Sequence, residues 1–571
     1  MKRKILQATI VSILIFLSIP QAKTQNALLI PDTLSGTNLT LNLQYGTYQF
    51  YSGTNTSTMG VNGNILGPTL LLNKGQQVNI TVNNNLSDTT TIHWHGMHVS
   101  AANDGGPHTI ILPGGSWHPA FKVRDRAATY WYHPHLHRKT NEHVSKGIAG
   151  LVIVRDSDEA ALTLPRTYGL DDIPVVIQTK TFTASKQIVV PSNADSVIMA
   201  NATINAYVNV PAQMVRFRLL NGSSQRVFNL GLSGNKSFYM IASDGGLLPA
   251  PLTLTRLQLA PGERAEIVID LTGMQNQSLY LKSYASELPN GIYGATNPGL
   301  MSGMVLNGYN PNPLNGADFN ILQLNVGAQT SNPVTSLPSS LVAATPIAPS
   351  SANITRNLTF SPAVMGPNQL NGKFLINGTS FNMNVINYSI PLNNVEIWSL
   401  KNNSAIAHPF HIHDVQFYIL DRNGIAPPAQ EQGRKDVVLV KPQETVRFIT
   451  VFEDFANDTV PYMYHCHMLK HEDDGMMGQF NVVNTVGIKD AAKKPSASVY
   501  PNPSKGSIKI KANNSVSLLL VEIYGIDGRL LVSKEIKNKD NTIEINGLPK
   551  GVLLLKLLTD KGIETRKLIV D

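Results

Sequence analysis

Along most of the chain, apolar positions fall in short runs separated by polar and turn-forming ones, as in Leu41 to Phe50, Gln77 to Val82 and Gly150 to Val154. Val, Ile, Thr, Tyr and Leu fill these runs, and Gly, Pro and Asn break them roughly every ten residues. Segments this short, rich in β-formers and bounded by turn residues, predict strands, and helical periodicity is weak throughout. The expected fold class is all-β, with sandwiches or barrels joined end to end.

Breaks in the pattern divide the chain. A basic start (Lys2, Arg3, Lys4), an apolar run from Ile5 to Ile19 and small or polar residues up to Gln25 read as a secretory signal. The run is short for a membrane anchor and no stop-transfer pattern follows, so the mature chain is expected to have no transmembrane segment. Further breaks fall at Ser157 to Pro165, at Gly327 to Ser351, where Pro, Ser, Thr, Ala and Asn dominate, and at Lys489 to Ser498. The expected division is a signal over 1–25, sandwiches over 26–160, 161–327 and 352–488, linkers over 328–351 and 489–498, and a small β domain over 499–571. A chain of 571 residues is long enough for each part to bury its own core.

Charge matters here only through its location. The formal net charge of +8 suggests a nucleic-acid partner. Residues 1–26 carry four basic residues and no acidic one, residues 487–571 carry 15 basic against 9 acidic, and the central body is left at −2. No phosphate-binding surface is expected there.

The chemistry concentrates around the one cysteine. Tyr464 to Gly478 reads YHCHMLKHEDDGMMG, with Cys466 between His465 and His467 and with His471 and Met476 following. On a strand the cysteine points one way and its two histidine neighbours the other, so one strand can serve two metal sites. Cys466, His471 and Met476 offer a thiolate, an imidazole and a thioether, the donors of a blue-copper centre, which wants a second histidine. A lone buried cysteine is ordinarily a structural thiol. Against that reading, all fifteen histidines lie between 93 and 143 or between 408 and 471.

Three more clusters complete the pattern. Thr91 to Gly96 reads TIHWHG and Tyr130 to His137 reads YWYHPHLH, each with an H-x-H pair that shares a strand face. His408 to His413 reads HPFHIH, where Pro409 is expected to break the ladder and let His408 turn toward the cysteine. With His408 and His471 assigned to blue copper, eight histidines remain for a second cluster, a number that fits three coppers with an open position for a small molecule.

HWHG, HPH, HPFHIH and HCHMLKHEDDGMM together resemble the multicopper oxidases over about residues 30 to 485, near the copper-efflux oxidases, spore-coat laccases and bilirubin oxidases. The resemblance implies three consecutive cupredoxin-like β-sandwich domains. It also implies four copper ions. Type 1 copper would sit on His408, Cys466, His471 and axial Met476, type 2 on His93 and His411, and the type 3 pair on His95, His133, His135, His413, His465 and His467. Single electrons would pass from a small organic or metal-ion reductant through Cys466 to the cluster, where O2 becomes water. Asp104, in the DGGP stretch, and Glu472, beside His471, occupy the positions of the family's proton relays, although Asp-Gly is also a common turn dipeptide. His98, His108, His118, His137 and His143 are expected to be solvent-facing or supporting rather than ligands. No methionine-rich lid precedes the third motif, where only Met365 and Met383 occur, with Met301 and Met304 earlier. That favours a laccase-like oxidase of phenols or aromatic amines over a cuprous oxidase, and both over a copper-free scaffold. Cys466→Ser is expected to abolish blue colour and activity and to leave the sandwich cores untouched.

From Val499 the chain reads VYPNPSKG, VEIYGIDGRLL, NGLPKGVLLLKL and RKLIVD, four short β runs without His or Cys. These resemble the type A C-terminal sorting domain of the type IX secretion system. The resemblance implies recognition by that machinery, export across the outer membrane of a Gram-negative bacterium, and a secreted or cell-surface location.

Overall fold

The computed structural model describes residues 25–571 except 192–193, 303–308, 310, 365–371, 458, 485–496, 514–515, 526–528, 537–541 and 561. The expected signal up to Thr24, most of the 489–498 linker, Met304 and Met365 lie outside the described residues. The chain forms two units, Met1–Asn484 and Thr485–Asp571. Among the described residues no helix is long and apolar enough to cross a membrane.

The short runs become strands whose buried residues follow the period of two, as in Asn38–Tyr51 and Gln77–Asn84. In the first sandwich, one sheet runs in the order Thr33–Ser35, Thr69–Asn73, Gly150–Arg155, Ala128–His133, His93–His95. It packs on a second sheet built around Asn38–Tyr51 and Gln77–Asn84, and Leu41, Val78, Val82, Trp94 and Val152 fill the core. Among the described residues the second sandwich consists of two six-stranded sheets. Its first strand, Asn26–Ala27, pairs in parallel with Ala206–Pro211 before the chain enters the first sandwich.

The third sandwich pairs the sheet Phe374–Ile376, Ile354–Pro362, Val395–Asn402, Thr445–Val451, Tyr418–Arg422 with the sheet Tyr388–Pro391, Met477–Val483, Tyr462–Cys466, His408–Ile412, Val437–Val440. Trp398 is fully buried between them and lies 6.1 Å from Phe448 and 5.5 Å from Tyr464, ring to ring. The expected linker 328–351 is not free. Leu341 packs with Leu164 and Ile241, and Met214 N–H donates to Val334 O at 2.9 Å, so this segment straps the second sandwich.

Strands buried on both faces lose the alternation. Asp172–Lys180 and Met214–Asn221 are buried at every position because the second sandwich is covered by its neighbours. Polar residues on the covered face need partners. Arg218 forms a bidentate pair with Asp172 at 2.7 and 2.9 Å and bonds Thr129 of the first sandwich at 3.1 Å; Arg216 pairs with Glu266 and with Glu159.

In the C-terminal unit, the four expected β runs are seven strands among the described residues: a three-stranded sheet centred on Ser507–Ala512 and a four-stranded sheet holding Leu518–Gly525, Gly551–Thr559 and Gly562–Val570. Ile508, Ile510, Val521, Ile523, Leu555 and Leu557 form its core.

Candidate metal centres

Every expected donor residue is 1% exposed or less, from His93 in the first sandwich to Met476 in the third. Burying twelve such groups costs free energy unless their polar atoms find partners.

The cysteine site lies within the third sandwich. Cys466 Sγ is 3.6 Å from His408 Nδ1 and 3.6 Å from His471 Nδ1. Phe374 packs against both imidazoles, with centroids 4.6 Å away in each case, and Ser404 Oγ lies 2.9 Å from His408 Nε2. His471 comes from the short helix Leu469–Asp473; Met476 follows it and is held by backbone bonds, Cys466 N–H to Met476 O at 3.0 Å and Met476 N–H to His471 O at 2.8 Å. Pro409 does not break the ladder, since His408–Ile412 pairs with Val437–Val440 through Pro409 and Leu439. Plain alternation separates His408 from His411 and His413, as it separates Cys466 from its neighbours. Cys466 is also part of the third core, packed with Phe410, Tyr464 and Met476, which corrects the expectation that the cores exclude it.

The eight other histidines meet between the first and third sandwiches. Each half is a pair of adjacent antiparallel strands, with His93 opposite His133 and His411 opposite His465. Across the boundary, His93 stacks on His413 with centroids 3.9 Å apart and His95 on His411 at 3.8 Å. His135 Nε2 lies 3.1 Å from His465 Nε2 and 3.2 Å from His413 Nε2, and His467 Nε2 lies 3.2 Å from His95 Nδ1. Burial, reinforced by the neighbouring imidazoles, pushes His95, His133, His411 and His413 well below the usual histidine range, and His135 and His467 to about 3. Those six rings are therefore neutral, the form that binds metal.

Both expected relay carboxylates flank this cluster. Asp104 is 1% exposed, and its Oδ2 is 2.7 Å from His413 Nδ1 while its carbonyl accepts from His93 Nδ1–H at 3.0 Å. Glu472 Oε1 and Oε2 lie 3.4 Å from His135 Nδ1 and 3.3 Å from His465 Nδ1. None of the five remaining histidines joins a metal-ligand grouping among the described residues. His143 is fully buried against the Thr90 hydroxyl at 3.1 Å rather than facing solvent, and His98 pairs with Asp414 at 2.9 Å. Sequence reasoning missed Asp436, whose carboxylate touches His95 and whose carbonyl accepts from His411 Nδ1–H. It sits in the stretch GRKDVV, which carries no metal-ligand spacing.

The donors fit copper. Two donors held about 2.0–2.3 Å from one ion at tetrahedral angles stand about 3.2–3.8 Å apart, close to the 3.1–3.6 Å separations above. The buried Nε2 atoms of His93, His133 and His411 have no hydrogen-bond partner among the described residues, which leaves them free for an ion. A thiolate with two imidazoles and a thioether selects a soft or borderline metal, and eight imidazoles suit copper.

All-β sandwiches carrying a Cys/His site beside a buried histidine cluster define a cupredoxin-type metalloprotein. Multicopper oxidase family profiles match residues 42–159 and 349–486, and a secretion-system C-terminal sorting domain profile matches 498–571. The multicopper oxidase mco of Staphylococcus haemolyticus is 35% identical over 457 residues, which cover 78% of this chain and 89% of that one. The cell division protein FtsP of Escherichia coli is 31% identical over 81% of this chain and 94% of its own. Among solved structures, the laccase-like multi-copper oxidase CueO of the lignin-degrading Ochrobactrum sp. is 31% identical, covers 80% of this chain and 100% of that one, and superposes with a TM-score of 0.70. A multicopper metallo-oxidase of Campylobacter jejuni is 25% identical over 80% of this chain and 96% of its own, with a TM-score of 0.65. The chain belongs to the multicopper oxidase family and ends in a secretion sorting domain.

Proposed function

We propose that this chain is an exported, laccase-like oxidase that couples one-electron oxidation of phenolic or aromatic amine donors to the reduction of O2 to water. The observation that carries the reading is the complete Cys/His site joined to the eight-histidine cluster through three consecutive residues, His465, Cys466 and His467. Four copper ions held there supply single-electron uptake at one end and four-electron reduction of O2 at the other. His408, Cys466, His471 and Met476 hold the first ion; His93 and His411, and the six further histidines, hold the other three.

The chain's own residues do the rest. The Cys466 backbone links the two sites covalently, and the fully buried rings exclude water from both. Asp104 and Glu472, each against two cluster rings, take up and release the protons that water formation needs. A cleft of about 730 Å³ opens over the helix that carries His471, lined by His137, Lys373, Phe381, Lys470, Asp473 and Asp474 among others. Phe381 offers an aromatic face for a ring donor, and among the described residues no methionine lines the cleft. The acidic and imidazole side chains there favour a second reading, a cuprous oxidase. The sorting domain directs the enzyme through a type IX machinery to the surface or medium of a Gram-negative cell.

The test is copper content, the visible spectrum and O2 uptake of purified, copper-loaded protein with a phenol and then Cu(I) as donors. Four coppers, a strong blue band and phenol-driven uptake support the laccase-like reading, and a clear preference for Cu(I) replaces it with the second. One copper or none, without O2 uptake, returns the chain to a non-enzymatic scaffold.

A further inference from the structure

The second sandwich supplies none of the twelve donors, yet it reaches the histidine cluster at one residue's remove. Arg264, on the strand Arg264–Asp270, is fully buried and holds both oxygens of Asp436, Nη1 to Oδ1 at 2.6 Å and Nη2 to Oδ2 at 2.5 Å. Such a fork leaves the carboxylate no freedom to rotate. Asp436 Oδ1 then accepts from His95 Nε2–H at 3.1 Å. The same residue's carbonyl accepts from His411 Nδ1–H at 2.8 Å, so Asp436 holds one ring from each half of the cluster.

The bond to His95 has a chemical consequence. Six of the eight rings turn Nδ1 outward, to a backbone or carboxylate oxygen, and Nε2 inward. His467 also brings Nε2 to the centre. His95 alone is reversed, with Nε2 on Asp436 and Nδ1 3.2 Å from His467. Only the tautomer protonated at Nε2 leaves Nδ1 a lone pair for a metal. Gly96, next in the chain, is a second mark of this arrangement. A Cβ there would stand 2.5 Å from Asp436 Oδ2 and 2.6 Å from Arg264 Nη2, and its φ of +85° belongs to glycine.

We infer that Asp436, clamped by Arg264, is a positioning residue that selects the Nε2–H tautomer of His95 and so makes Nδ1 its donor atom, giving the ligand-free second sandwich control over assembly of the cluster. The inference rests on the copper reading above. Orienting partners of this kind set metal affinity as well as geometry.

The experiment is copper titration of the full-length apo-protein, read as copper bound per chain, the near-UV absorption of the coupled copper pair and the blue band of the cysteine site. Asp436→Leu keeps the bulk and removes the acceptor; it should weaken cluster copper about 10- to 100-fold and erase the near-UV band while the blue band stays. Asp436→Asn retains one acceptor oxygen for His95 and should bind cluster copper several-fold better than the leucine variant. Should Asp436→Leu fail to fold, Arg264→Lys, which cannot grip both oxygens, should show a smaller loss of the same selective kind. Parental loading in the leucine variant, an asparagine variant as poor as leucine, or an Arg264→Lys protein that keeps its near-UV band or loses blue and near-UV bands together would overturn the inference. A parent chain that takes up no cluster copper would overturn the copper reading and the inference with it.

Discussion

The two candidate centres share a strand and are built in opposite ways. The cysteine site takes all four donors from residues 408–476 of one sandwich, where alternation along His408–Ile412 and Tyr462–Cys466 and one short helix bring them together. The histidine cluster takes four rings from each of two sandwiches and exists only where they dock. The first centre should therefore survive insults that loosen docking, and the second should not. Separation also explains the buried charge around the cluster, because a site made at an interface must be braced by groups such as Asp104, Glu472 and the Arg264–Asp436 pair.

The largest effect should come from breaking the shared strand. Cys466→Ser should abolish the blue band and donor-driven O2 uptake while the cluster still binds copper, as read by metal analysis and spectroscopy. Because Cys466 lies in the third core, the hydroxyl should also cost about 1–3 kcal/mol in a denaturant titration. Asp104→Asn and Glu472→Gln should leave the blue band in place and slow its reoxidation by O2 about 10²- to 10⁴-fold, measured by stopped-flow after anaerobic reduction. Equal slowing of reduction by the donor would place these carboxylates elsewhere in the mechanism.

Gly262→Ala should act on the cluster alone. A Cβ there meets the His467 ring at 2.9–3.1 Å and the φ is +85°, so the ring must shift, and cluster copper affinity should fall about tenfold with the blue band unchanged.

The smallest effect concerns the brace between the first and second sandwiches. Burial alone would raise the Glu266 carboxyl, but Arg216 and Arg218, helped by the Thr129 hydroxyl, outweigh it and hold it at about 2 against an ordinary 4.5. A carboxyl lowered by folding stabilises the native state above its unfolded value and loses that contribution as pH falls from about 4.5 to about 2. Up to about 3 kcal/mol is at stake. Thermal unfolding followed across that range should show the loss in the parent and a flatter profile in Glu266→Gln, and acid should release cluster copper before it bleaches the blue band.

The all-β class, the four histidine motifs and the sorting domain were all legible in the sequence, because short runs of β-formers and fixed ligand spacings are local properties of the chain. They also carried the division of His408 from His411 and His413, and of Cys466 from its neighbours, since a strand sends alternate side chains to opposite faces. Tertiary structure alone decided which rings meet across the sandwich boundary, as His93 with His413 and His95 with His411, because those partners are more than 300 residues apart in the chain. It alone revealed Asp436 and Arg264 beside the cluster, the strapping of 328–351 and the burial of Cys466 in a core. Contacts of that kind depend on how separate sheets pack, and packing leaves no period and no motif in the residues that make it.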